Sequence, residues 1–298
     1  MSGPRRRALW IVNPKSRHGS SDLAEVRDLL EHRGFVLRDA APEGAAAIAK
    51  CIEEHAGRVD FVVVGGGDGT LSSAAGALAA GRLTLGILPL GTANDLSRTL
   101  GLPTDLRAAA AVIADGYTRR IDVGVVNGVH FFNAADIGLG TRVAARLDRR
   151  TKRRWGALAY AHSLLGAWRE HRAFSARIRC DGRDEQFRVI QLKIGNGKYY
   201  GGGMAVLEDA AIDDGRLDLI AVRPQGLIGM LSLAPALRGG SLRGNPRVKV
   251  RSAREIAVRT RRRMPVSTDG EITTATPAVF RVLPGAVTVC VPNCEGVH

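Results

Sequence analysis

The first residue in this sequence whose setting suggests chemistry is Asp68, which stands among glycines in Gly65-Gly66-Gly67-Asp68-Gly69-Thr70. Before it, Phe61 to Val64 reads as a buried strand; after it, Leu71 to Ala80 reads as a helix. Glycines in such a turn let backbone N–H groups approach phosphate oxygens, and the positive end of the following helix points at the same place. A carboxylate there repels a polyphosphate unless a divalent cation lies between them or the carboxylate takes a proton from an incoming hydroxyl. The motif therefore points to phosphoryl transfer, with simple capping of the helix by Asp68 as the alternative. It is not the dinucleotide fingerprint, because Thr70 or Ser72 stands where the third glycine belongs, and no Gly-Lys-Ser/Thr follows to make a P-loop.

Three further stretches carry chemically useful residues. The loop at Gly91-Thr92 repeats the layout of strand, glycine and helix. Thr92 can donate to a phosphate oxygen, Asn94 can satisfy a backbone or base edge, and Asp95 falls in a first helical turn; capping alone would also account for Thr92 and Asp95. The first strand runs into Asn13-Pro14-Lys15-Ser16-Arg17, a turn whose Lys15 or Arg17 could meet phosphate. Near the C-terminus, Ser267-Thr268-Asp269-Gly270-Glu271 sets two carboxylates on a turn. An alcohol is a poor nucleophile until a carboxylate in hydrogen-bond reach takes its proton, although a plain Asp-Gly hairpin with an exposed Glu271 fits the same residues.

Elements of two kinds must position these groups. Strand signals at Ala8 to Val12, Phe35 to Leu37, Phe61 to Val64 and Leu83 to Leu88 alternate with helix signals at Asp22 to His32, Ala45 to Glu54, Leu71 to Ala80, Gly91 to Gly101 and Asp105 to Gly116. Such alternation predicts a parallel sheet covered on both faces, with both glycine loops at the carboxyl ends of its strands. From about Arg120 the texture turns to antiparallel β, with hairpin signals at Asn127-Gly128 and Asp181-Gly182. Helical stretches at Arg142 to His171 and Gly226 to Leu237 interrupt it.

At 298 residues two domains are expected, and 45% hydrophobic with 24% charged residues is the composition of a soluble globular protein. Lys+Arg 43 against Asp+Glu 29 leaves +14, which favours an anionic partner. Cys51, Cys180, Cys290 and Cys294 lack zinc-site spacing and fit a reduced, cytoplasmic setting. Pro224 to Leu237, the longest uncharged stretch, contains Pro235 and falls short of the roughly 20 residues that span a bilayer, so membrane contact is expected to be peripheral.

Taken together, VNPKS, VVVGGGDGTLSSA, LGILPLGTANDLSRTLGLP, RRIDVGVVN, FFNAADIGLG, AAIDDGRLDLIAV and VSTDGE resemble, in order, the diacylglycerol kinase catalytic superfamily, in particular the YegS-like bacterial lipid kinases related to sphingosine kinases. The resemblance implies an N-terminal three-layer α/β domain like those of NAD kinases and phosphofructokinases, over residues 1–122 with a return strand at about 282–298, and a C-terminal β-sandwich over 123–281. It implies ATP and Mg²⁺ in a cleft between the domains and a lipid hydroxyl as acceptor. Asn13, Pro14, Lys15, Ser16, Arg17, Gly65, Gly66, Gly67, Asp68, Gly69, Thr70, Leu71 and Thr92, with Asn94, would carry nucleotide contacts. Asp68, Asp269 and Glu271 would be catalytic, Glu271 as proton acceptor. A structural Mg²⁺ would be held by the Asp214 carboxylate and the carbonyls of Ala211 and Arg216. The sequence departs from the family at Arg17, where glycine is frequent, and lacks a threonine common after the second strand.

The segment from Arg142 to Arg172 combines a basic cluster with Trp155, Tyr160 and Trp168, the composition of a helix at an anionic bilayer interface; a surface helix packed by its apolar face fits equally. The expected acceptor is thus a lipid at the inner membrane face, and no nucleic-acid module is present. A small-molecule kinase related to NAD kinases and a catalytically silent lipid-binding protein are the alternatives. Oligomeric state stays open, a homodimer included.

Overall fold

The computed structural model describes residues 5–12, 20–141 and 172–293. The elements are β1 (Arg6–Val12), α1 (Ser20–His32), β2 (Phe35–Ala40), α2 (Ala45–His55), β3 (Phe61–Gly66), α3 (Asp68–Gly81), β4 (Thr84–Pro89), α4 (Asp95–Thr99), α5 (Leu106–Asp115) and β5 (Thr118–Val126). Then follow β6 (Val129–Phe131), β7 (Ala134–Gly138), β8 (Phe174–Cys180), β9 (Arg183–Val189), β10 (Gln191–Gly195), β11 (Tyr199–Tyr200), β12 (Met204–Ala205) and β13 (Leu217–Val222). The last are α6 (Leu227–Leu231), α7 (Ala234–Gly239), β14 (Val248–Ala253), β15 (Glu255–Thr260), β16 (Pro265–Thr268), β17 (Glu271–Ala275) and β18 (Ala278–Cys290). Contacts divide the described residues into one unit that runs to Val123 and resumes at Gly285, and another over Gly124–Pro284.

In the first unit β2-β1-β3-β4 form a parallel sheet, and the end of β18 joins it alongside β4 at Thr288 and Val289. Side chains alternate across a strand, so Ala8, Trp10 and Val12 face α1 and α5, where Val26, Leu30, Leu106 and Ile113 complete a core. Leu9, Ile11, Val62 and Val64 point the other way and are equally buried, and α2 and α3 pack on that side. Helices on both faces are what near-continuous apolar strands require.

Helix α3 begins at Asp68, three residues ahead of the expected Leu71. Gly67 is extended, and its carbonyl accepts from both Thr70 N (3.0 Å) and Leu71 N (3.1 Å), which closes the first turn over Asp68, Gly69 and Thr70. By contrast the helix expected from Gly91 shrinks to α4, because Asn94 adopts a left-handed conformation (φ 50°) and holds Gly91 in a loop. The stretch Gly226 to Leu237 is likewise two short helices, with Pro235 in the first turn of α7, where its missing N–H is tolerated.

The second unit is a β-sandwich. One sheet has the order β14-β13-β10-β7-β16-β17; facing it, the first part of β18 pairs β15, which pairs β8, which pairs β9. Phe131, Ile137, Ile178, Leu192, Ile194, Leu219, Ile256 and Phe280 fill the space between. Three hairpins turn through Asn127-Gly128 (φ 48° and 86°), Asp181-Gly182 (44° and 86°) and Asp269-Gly270 (46° and 88°). Two successive left-handed residues make the turn whose twist matches the strands it joins. The first residue of each turn also anchors a neighbouring segment: Asn127 Oδ1 accepts from Val279 N, and Asp181 Oδ1 accepts from Arg254 N and Glu255 N.

Candidate active site

Register sets the two glycine loops side by side. Gly65 lies opposite Leu88 and Gly66 opposite Pro89 in the parallel pair β3–β4, so both strands end at one edge. The loops that follow touch: a Cβ on Gly91 would lie 2.4 Å from Gly67 Cα, a distance no side chain could occupy. Asp68 then joins them. Its Oδ1 accepts from Leu96 N at 3.0 Å, so it caps α4 across the gap, while α3 itself, preceded by Gly67, has no side-chain cap.

The N–H groups of Gly67 and Gly69 make no hydrogen bond to a described residue. They are first-turn donors of a 14-residue helix, aimed where its dipole is positive, and they fit the oxygens of a phosphate. A carboxylate has about four acceptor positions, so the bond to Leu96 does not by itself preclude a cation or a hydroxyl proton at Asp68.

Thr92 is exposed at the loop tip. Asn94 is used internally: Oδ1 accepts from Gly91 N at 2.9 Å, and Nδ2 donates to Pro89 O and Gly91 O. Of the two uses open to it, backbone and base edge, the structure shows the backbone. Leu71 is a core residue, 1% exposed, with its N–H spent on Gly67. Asn13, Pro14, Lys15, Ser16 and Arg17 lie outside the described residues, as do the aromatic and basic segment of residues 142–171 and Cys294.

In the second unit Asp269 and Glu271 differ sharply. The Asp269 carboxylate accepts from Phe132 N (2.9 Å), Asn133 N (3.0 Å) and Ala134 N (3.0 Å), and its own N–H donates to Ala134 O. It is an anchor that fixes the hairpin to the start of β7, which is not the geometry of a group exchanging protons. Glu271, two residues on, is exposed at the head of β17 opposite Thr268, where a solute can reach it.

In the loop before β13, Asp214 is exposed and its Oδ1 accepts from Arg216 N at 2.9 Å. Among the described residues, neither the Ala211 nor the Arg216 carbonyl accepts a backbone hydrogen bond outside the strand ladders. A carboxylate with two carbonyls is the hard oxygen set that Mg²⁺ takes, completed by water. Nearby Asp218 is buried and bonded by Ser252 Oγ, and burial pushes its carboxyl above the usual range.

One cluster escapes sequence reasoning. Asp136 on β7 and Lys193 on β10 are paired in register, and Lys193 Nζ lies 2.7 Å from Asp136 Oδ1 with only 8% of its side chain exposed. Gln191 Nε2 donates to the same oxygen, Ser267 lies opposite Asp136 on β16, and Lys193 Nζ sits 3.5 Å above the Tyr200 ring. Cys180 and Cys290 offer no comparable chemistry: burial pushes Cys180 up to about 11 and Cys290 up to about 12, so both stay protonated near neutrality. No helix among the described residues is long and apolar enough to cross a membrane.

Comparison with known proteins agrees with this architecture. Residues 7–126 match the diacylglycerol kinase catalytic domain, and residues 133–291 match the YegS C-terminal NAD kinase beta sandwich-like domain. A probable lipid kinase YegS-like protein of Pseudomonas aeruginosa (strain UCBPP-PA14) is 38% identical over 250 residues, 82% of this chain and 81% of its own. A diacylglycerol kinase of Mycobacterium tuberculosis (strain CDC 1551 / Oshkosh) is 32% identical over 302 residues, covering 95% and 94%. Among solved structures, a diacylglycerol kinase from Bacillus anthracis str. Sterne superimposes with a TM-score of 0.82 at 29% identity, over 98% of this chain and 99% of that one. With both halves matched in order, the chain belongs to the diacylglycerol kinase family and is a kinase enzyme.

Proposed function

We propose that this enzyme transfers the γ-phosphate of ATP, with Mg²⁺, to a hydroxyl of a membrane lipid such as diacylglycerol. The observation that carries the reading is the Asp68 bridge: a carboxylate held by Leu96 N at 3.0 Å beside the open first-turn amides of α3. Those amides would hold phosphate oxygens, with Thr92 donating from the neighbouring loop. Bound Mg²⁺ would neutralise charge developing on the transferring group. Asp68 would either face that cation or orient the acceptor hydroxyl. Glu271 would accept the hydroxyl's proton, and Asp269 would keep the Glu271 turn in place through its three amide bonds. Asp214, with the Ala211 and Arg216 carbonyls, would hold a second, structural Mg²⁺. The enzyme would work at the cytoplasmic membrane face. The names of its relatives support lipid over nicotinamide nucleotide as acceptor.

The test is transfer of radiolabel from γ-labelled ATP to a panel of lipids, with NAD and water as control acceptors. Label in a lipid is expected; label in NAD with none in any lipid would overturn the reading.

A further inference from the structure

The six-stranded sheet of the second unit turns one face into the sandwich core, where Ile137, Leu192, Ile194 and Val266 point. Side chains alternate across each strand, so their neighbours Asp136, Lys193 and Ser267 stand on the outer face. Register sets them in one row. Ile220 on β13 lies opposite Lys193, Lys193 opposite Asp136, Asp136 opposite Ser267, and Ser267 opposite Ile272 on β17. Ile220 at one end is covered, whereas Ile272 at the other is 53% exposed.

The charges in this row already match each other. Lys193 Nζ lies 2.7 Å from Asp136 Oδ1, and Gln191 Nε2 donates to the same oxygen at 2.5 Å while Gln191 Oε1 accepts from Gly140 N. What is left over is uncharged hydrogen-bonding capacity. Asp136 Oδ2 accepts from no described residue, and Ser267 Oγ, in a residue only 1% exposed, has no hydrogen-bond partner among them. A buried hydroxyl left without a partner costs stability, and facing residues on adjacent strands stand about 5 Å apart, which leaves room for one polar group. A charged headgroup would give up its water for a pair that already cancels. An uncharged hydroxyl can instead donate to Asp136 Oδ2, and an ester carbonyl can accept from Ser267. We infer that this row, Asp136 and Ser267 with Ile272, binds the glycerol backbone of an uncharged acylglycerol, with Ile272 covering the start of an acyl chain. The row stands one residue from the pair of Thr268 and Glu271 that closes the hairpin, which brings a lipid laid along it to the end of the sheet where Glu271 is exposed. The inference rests on the lipid-kinase reading and narrows its acceptor to a neutral glycerolipid, in place of a sphingoid amine.

The experiment is equilibrium dialysis of the full chain, without ATP, against dioctanoylglycerol, a short-chain sphingosine and dioctanoyl phosphatidylglycerol. Dioctanoylglycerol should bind at least about tenfold more tightly than either charged lipid. Ser267→Ala should weaken its binding about fivefold, the loss of one hydrogen bond, with no fall in melting temperature because the hydroxyl has no protein partner to lose. Ile272→Ser should weaken it about tenfold, and circular dichroism should show both variants folded. Equal binding of all the lipids, binding of none, or variants that bind dioctanoylglycerol as wild type does would overturn the inference, even in an enzyme that phosphorylates lipid. A wild type whose selective binding is lost in both variants, yet which phosphorylates no lipid, would uphold the site and defeat the proposed reaction instead.

Discussion

The Asp68 carboxylate and the Leu96 amide, 28 residues apart in sequence, meet at 3.0 Å and so couple the start of α3 to the start of α4. Asp68 thus combines a structural bond with the charge proposed for catalysis, and the two can be separated. Asp68→Asn keeps an acceptor oxygen and should change stability by less than about 1 kcal/mol, yet lower transfer at least about hundredfold. Asp68→Ala also loses the cap, costing about 1 kcal/mol while the protein still folds. Thermal melts alongside steady-state rates check both; an asparagine variant with undiminished turnover would remove Asp68 from the mechanism.

Asp269 and Glu271 should part company in the same assays. Asp269→Ala strands three backbone amides and should cost about 3 kcal/mol in urea denaturation. Glu271→Gln alters an exposed side chain and should leave stability within about 0.5 kcal/mol, while transfer falls about hundredfold or more. Equal stability losses, or a fully active Glu271→Gln enzyme, would contradict this division of labour.

The buried pair of Asp136 and Lys193 predicts a coupled response. Lys193→Met leaves Asp136 charged among apolar strands and should cost about 3 kcal/mol. Adding Asp136→Leu should recover part of that loss, since removing both charges removes the desolvation penalty as well. Additive losses in the double-mutant cycle would show the two residues to be independent.

His130, half-buried on β6, has its pKa held below the usual histidine value by burial. The folded state therefore favours the neutral ring, and the unfolded chain protonates first as pH falls. Its contribution to stability is complete above the unfolded value of about 6.5 and is lost as pH drops through the depressed folded value. The urea midpoint should fall between about pH 7.5 and pH 5.5, and less so in His130→Gln. A variant whose midpoint falls as steeply as wild type would show that other groups carry the dependence.

Local signals made most of the fold legible. Asn127-Gly128 and Asp181-Gly182 read as hairpins in the sequence, and Asp269-Gly270 fits one beside its catalytic reading, because few dipeptides accept two left-handed residues in succession. The apolar strands of the first unit were equally plain. What sequence left obscure depends on partners distant along the chain. Nothing near Asp68 points to Leu96, and an aspartate in AADIG or a lysine in QLKIG reads as one polar residue in an alternating strand. Only the pairing of β7 with β10 reveals them as ion-pair partners. The helix after Gly91-Thr92 is present as α4 and starts only at Asp95 for a related reason: Asn94 bonds backward to Gly91 and Pro89, a competition that helix propensity does not register.

The strand β18 has a consequence for how the chain is made. It begins in the second unit, passes the left-handed Gly285, whose N–H donates to Asp122, and ends beside β4. A ribosome therefore delivers the first unit's opening strands at the outset and its closing strand only after the whole sandwich has emerged. Until then the β4 border stays unpaired, so the half of the molecule that is started first is completed last, and a nascent chain halted before Thr288 would carry an open sheet border exposed to aggregation.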